Sequence, residues 1–289
     1  YLNPDQVTDL PFIWGAMEWA KPGGRIALAL AGRWLFKMSP SGFSARKAIF
    51  QALSITGILN GASIRKSQVW PNVDQPFCLL FADNRLPDSG GQFVFISPDD
   101  DPGLSAKGRM RIDAHDAVPV SLGQAAEQPD LLKTLYRGTA LDATIVRRSR
   151  EKTQYTIGNF WTLAHGLCHE RGYQTGSRSR NDTFLAGLLA LDAEYSAHPF
   201  KVVVEHLQPY LTNGSDRPRK RKIYRAPLVL IREGLRADRA RGRALIADTD
   251  IAYSRSYYGF SAADHKDGQF LTRYLLVLMH SKLFEYFSL

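Results

Sequence analysis

The sequence predicts an α/β fold that lacks one side of its sheet, followed by a mixed α+β region, and three observations carry that prediction. Over the first hundred residues, apolar residues at helical spacing alternate with short apolar runs bounded by turn residues. Turn-rich clusters at 87–91 and 97–103 then end that periodicity, which places a domain boundary near residue 100. Beyond it, helical and strand patterns no longer alternate regularly.

The elements follow in order. Phe12, Ala16, Trp19 and Ala20 recur at helical spacing, and Pro22-Gly23-Gly24 stops that helix. The continuous apolar run Ile26 to Ala31 suits a buried parallel strand. Ser44 to Leu53 places Ala48, Ile49, Ala52 and Leu53 on one helical face, and Ile55 to Leu59 is apolar again. Gln75 to Ala82 and Gln92 to Ser97 are further strands. Leu131 to Tyr136 and Asn159 to His169 read as helices, and Gly172 to Asp182 as a polar loop. Pro227 to Ile231 and Ala244 to Tyr253 have strand character, and Gln269 to Phe287 sets Phe270, Leu271, Tyr274, Leu275, Leu278, Met279 and Leu283 on one broad helical face. The first part is the end of an α/β sheet and not a complete one.

At 289 residues, with 44% hydrophobic residues, the chain affords a sizeable core. Its apolar runs fall far short of the roughly 20 residues a membrane-spanning helix needs, and no signal peptide is visible. Two cysteines, Cys78 and Cys168, lie in apolar stretches without a CxxC partner. That argues against a disulfide framework or a zinc knuckle and fits a reducing cytoplasm. The first residue is Tyr1, not methionine, so the expectation is a fragment of something longer, or half of a split protein.

The net charge is +9, and its placement matters more than its size. Arg217 to Arg243 holds eleven Lys or Arg against Glu233 and Asp238, so the local excess equals the net charge of the whole chain. Such a segment is the electrostatic footprint of a phosphate-backbone binder; a solvated charged face is the alternative. Arg217, Arg219, Lys220, Arg221, Lys222 and Arg225 are the stronger phosphate-contact candidates. Arg178 and Arg180, among the glycines and serines of the polar loop, can contact phosphates or read base edges.

Asp9-Leu10-Pro11-Phe12, then Lys21-Pro22-Gly23-Gly24-Arg25, then the apolar strand closing in Trp34-Leu35-Phe36 resembles the gamma class of N6-adenine DNA methyltransferases. Val69-Trp70-Pro71 followed by Gln75-Pro76-Phe77-Cys78-Leu79-Leu80-Phe81 is similar to that family's late hairpin. Ala226 to Ile231, Tyr253 to Ser261 and His280 to Phe284 resemble the specificity region of single-chain restriction and modification enzymes. The order of these motifs, more than any one of them, carries the resemblance.

The resemblance implies residues 1–100 as the C-terminal part of a Rossmann-like methyltransferase sheet and residues 101–289 as a DNA target recognition domain. It implies double-stranded DNA as partner, and an N-terminal catalytic half in cis or on another chain. In the complete enzyme S-adenosylmethionine would methylate N6 of an adenine flipped from the duplex. Phe12 falls where the family packs an apolar side chain against the cofactor's adenine; a core helix residue is the other reading. Trp70 falls where an aromatic ring stacks on the flipped base, replacing stacking lost from the duplex, or it simply covers the sheet. The family's Gly-rich cofactor loop and its Asn-Pro-Pro-Tyr tetrapeptide have no counterpart, since Asn3-Pro4-Asp5-Gln6 lacks the second proline and the aromatic. No catalytic residue is therefore assigned. A non-catalytic DNA-binding subunit of a split enzyme and a protein-interaction module are the rival readings.

His165 and His169, four apart, would share a helical face as metal ligands can, but no third ligand stands at a characteristic spacing. Asp99, Asp100 and Asp101 read as a solvated acidic turn.

Overall fold

A computed structural model describes residues 9–176, 181–191, 195–211, 215–233 and 244–288. The chain divides into two compact units, Tyr1–Glu151 and Lys152–Leu289. The division falls later than the boundary expected near residue 100. The turn cluster at 97–103 opens a connection between two strands of one sheet, so it marks a loop inside the first unit.

The first unit contains α1 (Asp9–Trp19), β1 (Arg25–Ala31), α2 (Arg33–Phe36), α3 (Pro40–Ala52), β2 (Ser54–Asn60), β3 (Phe77–Asp83), β4 (Gln92–Ile96), α4 (Pro102–Ser105), β5 (Ala117–Ser121), α5 (Leu122–Glu127), α6 (Leu131–Arg137) and α7 (Ala140–Lys152). The five strands lie in the order β1-β3-β2-β4-β5. β3 is antiparallel to both β1 and β2, so those two run parallel without touching. β1 was expected to sit in a parallel pairing; it instead forms a sheet edge and pairs antiparallel, because the later hairpin strand β3 takes the place beside it.

Alternation along the strands sends Ile26, Leu30, Ile58, Cys78, Leu80, Phe93 and Phe95 to one face, where α1, α3, α5 and α6 complete a single core. On the opposite face Leu59, Leu79 and Ile96 are covered by Ile64, Val69, Trp70 and Val73 of the 61–76 connection. Farther along that face Phe81 and Val94 are each 39% exposed, so the sheet is covered on both faces only at one end among the described residues.

α1 buries Leu10, Ile13 and Ala16. Of the expected face of Phe12, Ala16, Trp19 and Ala20, Ala16 is buried and Ala20 packs against the core, but Phe12 is 58% and Trp19 76% exposed. The helix is fixed at both ends by polar contacts that hydrophobic spacing does not reveal. The Asp9 carboxylate accepts from Ala31 N–H at 3.1 Å, and Asn84 Nδ2 donates to the Met17 and Ala20 carbonyls at 2.9 and 2.7 Å. Gly23, at φ +71, makes the turn into β1. Arg46 on α3 is buried and donates to the carbonyls of Trp34, Lys37 and Pro129 at 3.3, 3.0 and 2.7 Å. Burial lowers its pKa to about 10, which leaves it a cation at neutral pH.

The second unit begins with α8 (Ile157–Asn159) and a π-helical turn at Phe160–Ala164, then β6 (Cys168–Arg171), β7 (Gln174–Thr175), β8 (Leu189–Leu191), β9 (Gln208–Pro209), β10 (Ser215–Arg217), β11 (Leu228–Arg232), β12 (Ala244–Ala247), β13 (Ile251–Tyr253), β14 (Tyr257–Ser261), α9 (Gly268–Met279) and α10 (Lys282–Ser288). Its main sheet has the order β12-β11-β14-β6; β13-β8-β9 and β10-β7 are smaller sheets. Val229, Phe260 and Ala244 face Leu271, Leu275 and Met279 of α9 in one core, and Leu228, Leu230, Leu245 and Tyr257 face a second. Trp161 donates from Nε1 to the Ser261 carbonyl at 3.0 Å, which anchors the π-helical turn to β14.

Three expectations change here. The helix expected over Asn159 to His169 ends early, and Cys168 to Arg171 form β6. Ala244 to Tyr253 is two strands and not one. The C-terminal helix divides into α9 and α10, and of its expected apolar face Phe270 and Tyr274 are mostly exposed. No helix among the described residues is long and apolar enough to cross a membrane.

Candidate nucleic-acid interface

In the first unit Trp70 lies in the connection between β2 and β3, where the hairpin was expected. Its ring stacks on Phe77 at 4.8 Å and 30° between planes, and part of the indole stays open to solvent. Two left-handed residues, Lys66 at φ 60 and Asn72 at φ 62, bracket it. Below it, buried Asn60 donates to the Tyr136 carbonyl at 2.9 Å and accepts from Ala62 N–H at 2.9 Å, which fixes where the connection leaves β2. A Cβ on Gly61 would come within 2.4 Å of the Phe77 ring, so only glycine lets that ring lie where Trp70 packs on it. Phe12 offers an exposed ring on α1.

In the second unit the basic run is shaped by two buried anchors. Ile223 and Tyr224 are each 1% exposed; Tyr224 donates to the Pro218 carbonyl at 2.8 Å and Tyr253 donates to the Ile223 carbonyl at 3.3 Å. With those two residues turned inward, Lys220, Arg221 and Lys222 are exposed, as are Arg217 on β10 and Arg225. Arg219, just before Lys220, has left-handed backbone at φ 69.

The six cations are not equivalent. Arg219 is partly buried, pairs with Glu170 at 3.0 Å and donates to the Gly172 carbonyl. Arg225 pairs with Asp264 at 2.7 Å. Arg217, Lys220, Arg221 and Lys222 have no ion pair among the described residues, so their charge is available to an external anion. Sequence reasoning did not separate these groups, because Glu170 and Asp264 are distant in the chain. Arg178 and Arg180 lie outside the described residues.

The histidines do not form the pair suggested by their spacing. His165 Nδ1 lies 3.2 Å from His265 Nε2, and His169 stacks on Phe260 with its Nδ1 3.1 Å from the Tyr258 hydroxyl. Burial lowers the His169 pKa. Within the acidic turn Asp101 caps α4 and Asp100 accepts from Ser105, while Asp99 meets His115 and Asp116 with ligand atoms all within 4.8 Å. The Asp116 carboxylate already accepts from Asp113 N–H at 2.7 Å.

No protein-family model and no curated protein matches the chain. Similar solved structures come from restriction-modification systems. The type IIG restriction endonuclease BpuSI is 11% identical with a TM-score of 0.35, over 93% of this chain and 38% of that one. The type I restriction enzyme EcoKI M protein is 16% identical with a TM-score of 0.28, over 34% of this chain and 20% of that one. The type I methyltransferase subunit from Streptococcus thermophilus is 13% identical with a TM-score of 0.26, over 41% and 26%. The chain thus spans well under half the length of each. Overlaps of this extent are partial likenesses of fold and carry no functional weight by themselves.

Proposed function

We propose that the chain is the C-terminal part of a site-specific adenine-N6 DNA methyltransferase of a restriction-modification or phage-defence system, and that it contributes DNA binding and target recognition. The observation that carries this reading is the run Lys220-Arg221-Lys222, held outward by buried Ile223 and Tyr224 and free of ion pairs among the described residues. Motif order supports it, as does the partly exposed Trp70 on its hairpin connection, where a flipped adenine would stack.

S-adenosylmethionine would be the methyl donor of the complete enzyme. The residues present here do not make its site: the Gly-rich loop and the tetrapeptide have no counterpart in the sequence, and Phe12 contributes only an exposed ring. No chemical step is assigned to this chain, and the catalytic half is supplied in cis or by a partner. A non-catalytic specificity subunit of a split enzyme is the second reading, favoured by the edge position of β1, which leaves one side of the strand unpaired among the described residues.

Fluorescence anisotropy with duplex DNA across a salt series tests the reading. The chain should bind with an affinity that falls linearly in log salt. Lys220→Glu, Arg221→Glu and Lys222→Glu together should abolish binding at moderate salt. A folded chain that does not bind duplex at low salt would leave the run a solvated face and sink the proposal.

A further inference from the structure

The second unit has a cavity of about 660 Å³ walled by Tyr173, Tyr195 and Tyr210, with His206, Gln208 and Ser254 along its lining. The walls are set before any ligand arrives. The Tyr195 hydroxyl donates to the Lys201 carbonyl at 3.0 Å and accepts from Val203 N–H at 2.7 Å. Tyr210 donates to the buried Asp182 carboxylate at 2.8 Å, and its ring meets Tyr173 edge-on at 5.1 Å. His206 and Gln208, by contrast, are exposed and make no side-chain hydrogen bond among the described residues. The pocket therefore combines fixed aromatic faces with polar groups that still lack partners.

Its rim is continuous with the basic run. Arg217 on β10 stands opposite Gln174 of β7, the neighbour of the lining residue Thr175. Arg255 follows Ser254 and donates its backbone N–H to the Tyr173 carbonyl at 2.7 Å, and Lys201 holds Tyr195. Arg217, Arg255 and Lys201 are exposed and have no ion pair among the described residues. Glu205, beside His206, Asp216, against Gly176, and the buried Asp182, which accepts from Tyr210, are the carboxylates near the lining among the described residues.

We infer that this pocket takes one unpaired nucleobase of a DNA strand, with the partly exposed rings of Tyr173 and Tyr195 as stacking surfaces, and with Gln208 and His206 reading the base edge. The inference rests on the DNA-binding reading above and adds the form of DNA bound. A concave site cannot reach a base edge inside an intact duplex groove. The base must leave the stack, and aromatic faces compensate for the stacking it gives up. Gln208 presents a donor and an acceptor side by side, the pattern that discriminates among bases.

The test uses the whole chain and duplexes of one flanking sequence, either fully paired or carrying a single bulged nucleotide, with each of the four bases in turn. The bulged duplex should bind about tenfold tighter or more, with one base preferred. His206→Ala with Gln208→Ala, both at exposed positions, should erase the base preference and leave affinity for paired duplex unchanged. Trp70→Ala should keep the bulge preference. Equal affinity for paired and bulged DNA, a preference that survives in the His206/Gln208 variant, or one that disappears with Trp70 would each overturn the inference while leaving DNA binding intact. Failure to bind either form would overturn the DNA-binding reading as well.

Discussion

Gly61 and His169 show how much depends on single positions. At Gly61 any side chain meets the Phe77 ring. Gly61→Ala should therefore cost about 1–3 kcal/mol through overpacking and should move Trp70 as well, which a denaturant titration followed by tryptophan fluorescence would register. His169 stacks on Phe260 and packs beside Tyr258, with Gly158 at its edge, and burial lowers its pKa. Since the unfolded chain takes up that proton at a higher pH, it binds more protons than the folded chain over the interval between the two pKa values. Stability should thus fall as pH drops through about 6.5 and keep falling until the folded pKa is passed. His169→Gln should flatten that part of a melting-temperature profile, and an unchanged profile would show that the ring carries no such linkage. Neither position was legible in advance. Gly61 is one glycine among many, and the neighbours of His169 come from β14, far along the chain.

Among the elements, the basic run divides into paired and free charges, and salt dependence should divide with it. Replacing Lys220 or Lys222 by Glu should lower the slope of log affinity against log salt by about one for each phosphate that is no longer neutralised. Arg219→Glu should change the slope less, because Glu170 already neutralises that cation, but it should destabilise the segment that the pair holds. Equal slopes for the three variants would mean that the run acts only as a diffuse field. The strands read correctly were apolar runs between turn signals: β1, β3, β4 and β11, while the run that forms β2 was read only as apolar. β5 was missed because it is short, lies at a sheet edge and carries Pro119, which a central strand would not accept. β6 was read as helix because Leu163 and Leu167 extend helical spacing up to it. Its own Cys168-His169-Glu170-Arg171 is a half-buried polar strand without a hydrophobic signature.

For the molecule as a whole, each unit holds its own cores, since every buried cluster draws its members from one side of residue 151. Fragments 1–151 and 152–289 should therefore each fold alone, with circular dichroism spectra that sum to that of the chain; a fragment that stays unfolded would show that the cores depend on each other. Position in the sequence misled the boundary because β4 and β5 are neighbours in the sheet but are separated by the loop that carries the acidic turn. β1 is the edge of that first sheet, and its register turns the Ile26, Leu28 and Leu30 amides towards β3 and those of Ala27 and Ala29 away from it. The next outward amide, Ala31, is satisfied by Asp9. Deuterium should therefore enter this strand in alternation, quickly at Ala27 and Ala29 and slowly at the residues between them. A catalytic half that docked its own strand along β1 would abolish the alternation, so exchange at two alanines reports whether the sheet is complete.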